Sequence, residues 1–440
     1  MKPATSLLIA FVACACSRTP TGDAPAPSAS ATTSPAPPMS VARRLGLQAP
    51  SGKSAVDRQI EEAQKGLGKL PDKVDLWIVL GRLWVRKARD TADPGFYSNA
   101  GACAEVVAQI EPGNRMGRGL EAQVRLNEHE FAKAMDLADQ TLARDPDDLV
   151  ALGVKSDACL ELGRFDDAVK AAQRMVDVKP NLPAYVRASY LKWLSGNNDE
   201  AKRIARLAID AGKDPHDPEP GAWAIVQSAM IFWSEGDYAG ADAGFDLALA
   251  RMPAFPPALA GKGRAALVRG DAKKAAELLS QSYEQSPLVE TAWLLGDARA
   301  AAGDAEGATK AYAEVEKRGR QSDHRSLAMF WAVKNKNADD AVRFAEGEKK
   351  VRGDFVTEDA LAWAYYRAGR FKDAKEASDR ATRLGTRDAQ MWFHAGAIKI
   401  ALGDKAAGVK QIKEALKLSP HFDVSGAEEA GAMVAAAEKK

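Results

Sequence analysis

The segment Gly163-Arg164-Phe165-Asp166-Asp167-Ala168, closed by Pro180 twelve residues beyond the alanine, decides the fold. It returns as Gly236-Asp237-Tyr238-Ala239-Gly240-Ala241 with Pro253, and as Gly369-Arg370-Phe371-Lys372-Asp373-Ala374. A weaker copy is Gly270-Asp271-Ala272-Lys273-Lys274-Ala275 with Pro287. Outward from these copies, Pro112, Pro146 and Pro180 lie 34 residues apart, as do Pro253 and Pro287. Gly163, Gly196, Gly270, Gly303, Gly369 and Gly403 fall at intervals of 33 or 34, or multiples, with one longer spacing. Upstream of the glycines, Trp77-Ile78-Val79-Leu80-Gly81, Trp293-Leu294-Leu295-Gly296 and Trp392-Phe393-His394-Ala395-Gly396 open their units.

Each mark has a physical reading. The Leu-Gly pair and the central Ala lie where two antiparallel helices touch, because small side chains permit close approach. The midpoint Gly permits the turn between the helices. The Pro cannot continue a helix and starts the next unit.

The 34-residue period with an opening aromatic, a Leu-Gly pair, a midpoint Gly, a central Ala and a closing Pro resembles the tetratricopeptide repeat. Ten units are expected, at about 74–113, 115–147, 149–181, 182–215, 222–254, 256–288, 289–320, 322–353, 355–387 and 389–421. The first carries an insertion of about seven residues around Arg89-Asp90-Thr91-Ala92-Asp93-Pro94. A polar interruption, 212–221, separates the fourth unit from the fifth. Residues 55–70 read as a leading helix and Ser425 to Lys439 as a trailing one, covering the open ends of an array. The resemblance implies an all-α protein, an α-solenoid wound as a right-handed superhelix, whose concave groove binds peptides or folded partners. It implies no shared catalysis, so function has to come from the site.

Composition agrees. Hydrophobic residues make up 46% and are dominated by Ala, with aromatics at 7%, which favours helix over sheet. With 61 basic and 60 acidic side chains, no net field draws nucleic acid or an acidic membrane surface, and no nucleic-acid partner is expected. Beyond residue 20 no apolar run approaches the length needed to span a bilayer.

The chain opens Met1-Lys2 and runs through Ser6-Leu7-Leu8-Ile9-Ala10-Phe11-Val12-Ala13-Cys14-Ala15-Cys16. One positive charge, a short apolar stretch and terminal small residues describe an export signal over 1–16. Its end resembles the lipobox of bacterial lipoproteins, which implies lipidation at Cys14 or Cys16, although Phe11 stands where Leu is usual. Ala13-Cys14-Ala15 also satisfies ordinary signal cleavage, which would leave a soluble periplasmic or secreted protein. Ser17 to Ser40 holds no Val, Ile, Leu or aromatic residue and is crowded with Pro, Ala, Ser and Thr. It reads as an extended tether, taken to run over 17–53, with the solenoid occupying 54–440. In a two-membrane envelope, Ala15 and Ser17 are not the Asp that commonly retains lipoproteins on the inner membrane, which points to the outer membrane, facing the periplasm. Cys103 and Cys159 lie a helical hairpin apart in this register and read as small core residues.

The search for chemistry yields little. Glu128-His129-Glu130-Phe131-Ala132-Lys133 lacks the second His of a zinc protease, and His129 reads as a surface residue. His394 reads as core or groove, and His421 as packed on the final helix. Gly66-Leu67-Gly68-Lys69 lacks the earlier Gly of a phosphate loop. No cofactor, metal set or catalytic residue is assigned, and an envelope-polymer hydrolase has no residue constellation behind it. What remains is the groove. The opening helices are projected to present Tyr190, Trp193, Met230, Trp233, Trp293, Phe330, Trp363 and Tyr366 to a partner, since large aromatics favour binding hot spots. The competing reading places them in the core. The functional expectation is a membrane-tethered scaffold of the cell envelope that binds proteins or peptides. The alternative is an array that assembles with itself.

Overall fold

A computed structural model describes residues 39–91, 93–422 and 424–439. The expected export signal, Cys14, Cys16 and the expected tether up to residue 38 lie outside the described residues. Within them the chain is all-α, with 23 helices and no strand.

Two helices lead: α1 (Val41–Gly46) and α2 (Ala55–Lys69). Helix pairs then follow the expected units. They are α3 (Val74–Thr91) with α4 (Phe96–Ile110) and α7 (Leu149–Glu161) with α8 (Phe165–Val178), with α5 (Arg115–Asn127) and α6 (Phe131–Leu142) between them in the sequence. Next come α9 (Leu182–Leu194) with α10 (Asn198–Ala211), α11 (Pro218–Ser234) with α12 (Tyr238–Arg251), and α13 (Pro256–Val268) with α14 (Ala272–Gln285). The series continues with α15 (Val289–Ala301) and α16 (Ala305–Ser322), then α17 (His324–Val333) and α18 (Ala338–Lys349). It closes with α19 (Phe355–Arg367) and α20 (Phe371–Ala381), α21 (Ala389–Ala401) and α22 (Lys405–Leu418), and the trailing α23 (Val424–Glu438). The chain divides into two compact units, α1–α5 and α6–α23, with the boundary between Glu128 and His129.

The turns show why glycine recurs. Gly163, Gly196, Gly236, Gly270, Gly303, Gly369 and Gly403 all hold positive φ between the two helices of a pair, a region costly for a side chain with Cβ. Asn335 (φ 51) stands there between α17 and α18, and His129 (φ 61) just before α6. Both belong to the residue types that tolerate this region best. Side-chain caps start the helices on either side. Asn114, Asp148, Asn181, Asp323, Asp354 and Asp388 cap opening helices, and Asn197, Asp237, Asp271, Asp304 and Asp404 cap closing ones.

Within a pair, small residues set the spacing. Ala168, Ala201, Ala241, Ala275, Ala341 and Ala374 recur at one position of the closing helix and are fully buried. On the opening helices, a Cβ on Gly263 would lie 2.6 Å from Leu279, and one on Gly396 2.9 Å from the Gly408 carbonyl. Ser156 and Ser189 approach closely enough to donate to the Ala168 and Ala201 carbonyls at 3.0 and 2.7 Å. The two layers differ in surroundings. In α19, ten consecutive residues from Phe355 to Ala364 are buried, whereas α8 buries only Ala168, Ala171, Ala172 and Met175. Opening helices such as α15, α17, α19 and α21 are buried over most of their surface, and closing helices keep a polar outer face.

Three details depart from expectation. The tether does not continue through 41–53, because α1 packs under α3 and α4. Trp84 donates to the Gly46 carbonyl at 3.0 Å, Asn99 to that of Leu45 at 2.8 Å, and a Cβ on Gly46 would meet Trp77 at 2.9 Å. The insertion in the first unit is absorbed by lengthening α3 to 18 residues, against 13 in α7 or α9. The polar interruption is shorter than expected, since α11 begins at Pro218, a residue whose missing N–H costs nothing in a first turn. In the first unit a buried pair joins Lys87 to Asp57, the latter in a capping box with Ser54. Burial acts to raise the Asp57 carboxyl, but Lys87 and Ser54 hold it below its ordinary value.

The spacing rule is testable on one helix. Ala241→Leu, fully buried, is expected to lose about 1–3 kcal/mol in urea unfolding. Ala239→Leu, exposed on the same helix, should stay within about 0.5 kcal/mol of wild type. Equal effects would contradict the close-contact account.

Candidate functional site

The projected groove residues are where the expectation of exposure fails. Tyr190, Trp193, Met230, Trp233, Trp293, Phe330 and Trp363 are all at least nine-tenths buried, and only Tyr366 is half-buried. Tyr190 stacks on Trp193 at 5.6 Å, and Trp193 meets Phe355 edge-on at 6.2 Å while its indole donates to Ser234 Oγ at 3.0 Å. Trp233 meets Tyr238 edge-on at 4.8 Å, with the Arg264 guanidinium over its ring, and Met230 fills the same core. Trp293 and Phe330 pack edge-on at 5.3 Å. Trp363 is enclosed by Tyr366 at 4.6 Å, His394 at 4.0 Å and the Arg367 guanidinium at 4.4 Å. The physical reason is the burial of the opening helices over most of their surface: a residue that points away from its own closing helix meets the next opening helix or a more distant part of the chain.

Between those helices runs a set of paired charges that the sequence reading did not single out. Asp157 and Arg187 join α7 to α9 at 2.6 Å, Arg264 and Glu290 join α13 to α15 at 2.5 Å, and Asp297 and Lys334 join α15 to the end of α17 at 2.5 Å. Arg325 and Asp354 link α17 to the start of α19 at 3.4 Å, and His394 contacts Asp359 across α19 and α21 at 3.0 Å. Burial pushes the Asp157 carboxyl up, against the pull of Arg187. The available signal was opposite charge roughly one repeat apart on successive opening helices. His394 is thereby a core residue. Cys103 and Cys159 are free and buried, and burial raises both thiols.

A cleft among α9, α10 and α11, lined by Val186, Ser189, Tyr190, Gln227 and Ile231, holds about 20 Å³. That is room for one water and not for a peptide side chain. Among the described residues no group of three His, Cys, Asp or Glu is placed to hold a metal ion, and no helix is long and apolar enough to cross a membrane.

The feature that closes over Trp193 is a seam between distant repeats. The Gly353 amide donates to the Glu161 carbonyl at 2.8 Å, and Thr386 Oγ1 donates to the Leu194 carbonyl at 2.6 Å. Both pairs are 192 residues apart, between five and six 34-residue units. Arg383 donates to the Gly163 carbonyl at 2.6 Å. Farther along, Tyr238 Oη shares a hydrogen bond with Ser419 Oγ at 2.8 Å and accepts from the His421 amide at 2.9 Å. Leu160, Leu191, Trp193 and Ile231 pack with Phe355, Val356 and Met391 in one cluster. The seam corrects two histidine assignments. His129 accepts or shares a contact with Arg352 at 2.9 Å, and His421 faces Tyr238. One superhelical turn thus rests on the next.

These placements predict a stability phenotype. Trp193→Ala is expected to cost about 3–5 kcal/mol in equilibrium unfolding, the loss typical of a buried Trp. A melting temperature close to wild type would restore the exposed reading.

Comparison with family models finds the same repeat. Two family models, both described as tetratricopeptide repeat, match residues 125–190 and 360–421. No curated protein matches in sequence. Among solved structures, the human IFIT1 dimer with PPP-AAAA is 12% identical with a TM-score of 0.48, over 86% of this chain and 94% of that one. PilW, a type IV pilus biogenesis factor, is 19% identical with a TM-score of 0.40, over 49% and 97%. A tetratricopeptide repeat protein from Parabacteroides merdae is 17% identical with a TM-score of 0.39, over 54% and 93%. The matched segments fall in phase with the observed helix pairs, so the chain carries tetratricopeptide repeats at 125–190 and 360–421.

Proposed function

We propose that the chain is an exported interaction scaffold, tethered to a membrane through lipid on Cys14 or Cys16 and presenting its helical array to protein or peptide partners in the cell envelope. The scaffold role rests on the tetratricopeptide repeats. The tethering rests on one observation: a short apolar run ending in Ala13-Cys14-Ala15-Cys16, followed by the Pro/Ala/Ser-rich stretch to Ser40 and then helix from Val41. A lipidated cysteine and a polar spacer are the layout of a domain held off a bilayer. In a two-membrane envelope the outer membrane, facing the periplasm, is the proposed site. Because the large aromatics are core residues, the binding surface is sought on groups that remain accessible. Tyr185, Trp223, Phe232, Tyr365, Tyr366 and Trp392 are the half-buried aromatics of the opening helices.

Replacing both cysteines, Cys14→Ser with Cys16→Ser, is expected to move the protein from the membrane fraction to the soluble fraction and to abolish detergent-extractable label. Unchanged fractionation without such label in the wild type would overturn the tether.

A further inference from the structure

Seven glycines occupy the same turn in seven helix pairs with the same left-handed backbone, yet they do not share an environment. A Cβ on Gly270, Gly303, Gly369 or Gly403 would meet nothing within 4 Å. One on Gly163 would strike the Gly353 carbonyl, one on Gly196 would lie 2.5 Å from the Gly385 carbonyl, and one on Gly236 2.7 Å from that of Leu418. These three turns form the seam, and there glycine serves close approach between turns of the superhelix as well as local conformation.

The first rung carries charge. Arg352, almost fully buried, lies 3.4 Å from Glu161 Oε2, 3.2 Å from Glu348 and 2.9 Å from His129 Nδ1. Asp157 on the same helix as Glu161, Asp354 and Arg325 from the facing segment, and Tyr190 from α9 complete the enclosure. Asp157 is itself paired with Arg187, and Asp354 with Arg325 and the Val356 and Thr357 amides. Glu161 therefore shares Arg352 with Glu348 and His129.

We propose that this seam is a reversible, proton-sensitive latch: ionisation of Glu161 releases it, and the two turns separate while each helix pair stays folded. Burial pushes the Glu161 carboxyl up to about 7, with Asp354 and Asp157 adding to the rise and Arg352 and Arg325 opposing it. The sign follows from linkage. A carboxyl whose closed-state pKa lies above its open-state value binds a proton on closing, so the latch is fully favoured below the ordinary carboxylate range. That advantage is lost as pH rises from there to about 7. The rest of the seam is a handful of hydrogen bonds and the apolar cluster in which Phe355, Val356 and Met391 meet Leu160, Leu191 and Trp193. The latch goes beyond the scaffold role and depends on no partner.

Small-angle scattering of the purified protein, with far-UV dichroism in parallel, tests it between about pH 5.5 and about pH 8.5. The wild-type radius of gyration is expected to rise as the pH climbs toward about 7 and to level off above it, while helical dichroism stays constant. Glu161→Gln, which keeps the shape and removes the charge, should stay compact across the range. Gly163→Ala should be expanded already at the acidic end. Gly270→Ala, with the same φ penalty in open space, should follow the wild type. A pH-independent radius in the wild type, or expansion of Glu161→Gln in step with it, would overturn the latch. If Gly163→Ala loses its helical dichroism, the Glu161→Gln comparison decides alone.

Discussion

The approach of two helices across an alanine is the constraint from which the larger structure follows. Where Ser156 lies against Ala168, Ser189 against Ala201 and Gly396 against Gly408, the two helices of a pair nearly touch. That leaves little room to choose their relative angle. Repeating one angle every 34 residues makes each pair a near copy of the one before, so the array must curve. Curvature in turn brings the opening helices inward, where most of their surface is buried. The apolar character of α19 around its whole circumference, against the single stripe of α8, is the sequence-level trace of that layering.

A solenoid is ordinarily a one-dimensional object in which each repeat contacts only its neighbours. In α6–α23 the seam adds contacts between residues 192 positions apart. It ties the pairs α7/α8 through α11/α12 to the pairs from α19 onward, giving this unit long-range links that nearest-neighbour stacking lacks. It also puts ionisable groups where water is excluded. Arg352, Glu161, Arg325 and Asp354 are each buried. Such groups would be a poor choice for stability alone, because desolvation offsets much of the attraction between them.

Legibility in the sequence followed range of interaction. The helix pairs could be placed because their marks are local: a turn glycine, a central alanine and a closing proline act within one unit. Even the exceptions obey local rules, with His129 and Asn335 standing where glycine is missing. The helix α1 was hidden because Val41–Gly46 is only six residues long and is held by Trp84 and Asn99, tens of residues away. The groove aromatics were misplaced for a related reason. Whether Trp193 faces solvent depends on Phe355, which arrives only after the array has turned through several repeats. Small per-repeat rotations accumulate into that contact, and no short window of sequence contains their sum.

The central claim is that successive turns of the superhelix touch, and amide hydrogen exchange at Gly353 tests it most directly. This amide lies in a loop between α18 and α19, and its hydrogen-bond partner is the Glu161 carbonyl. Under mildly acidic conditions the account predicts strong protection at Gly353, approaching that of helix interiors and lost in Gly163→Ala. Exchange at the rate of an open loop would mean that the turns do not meet.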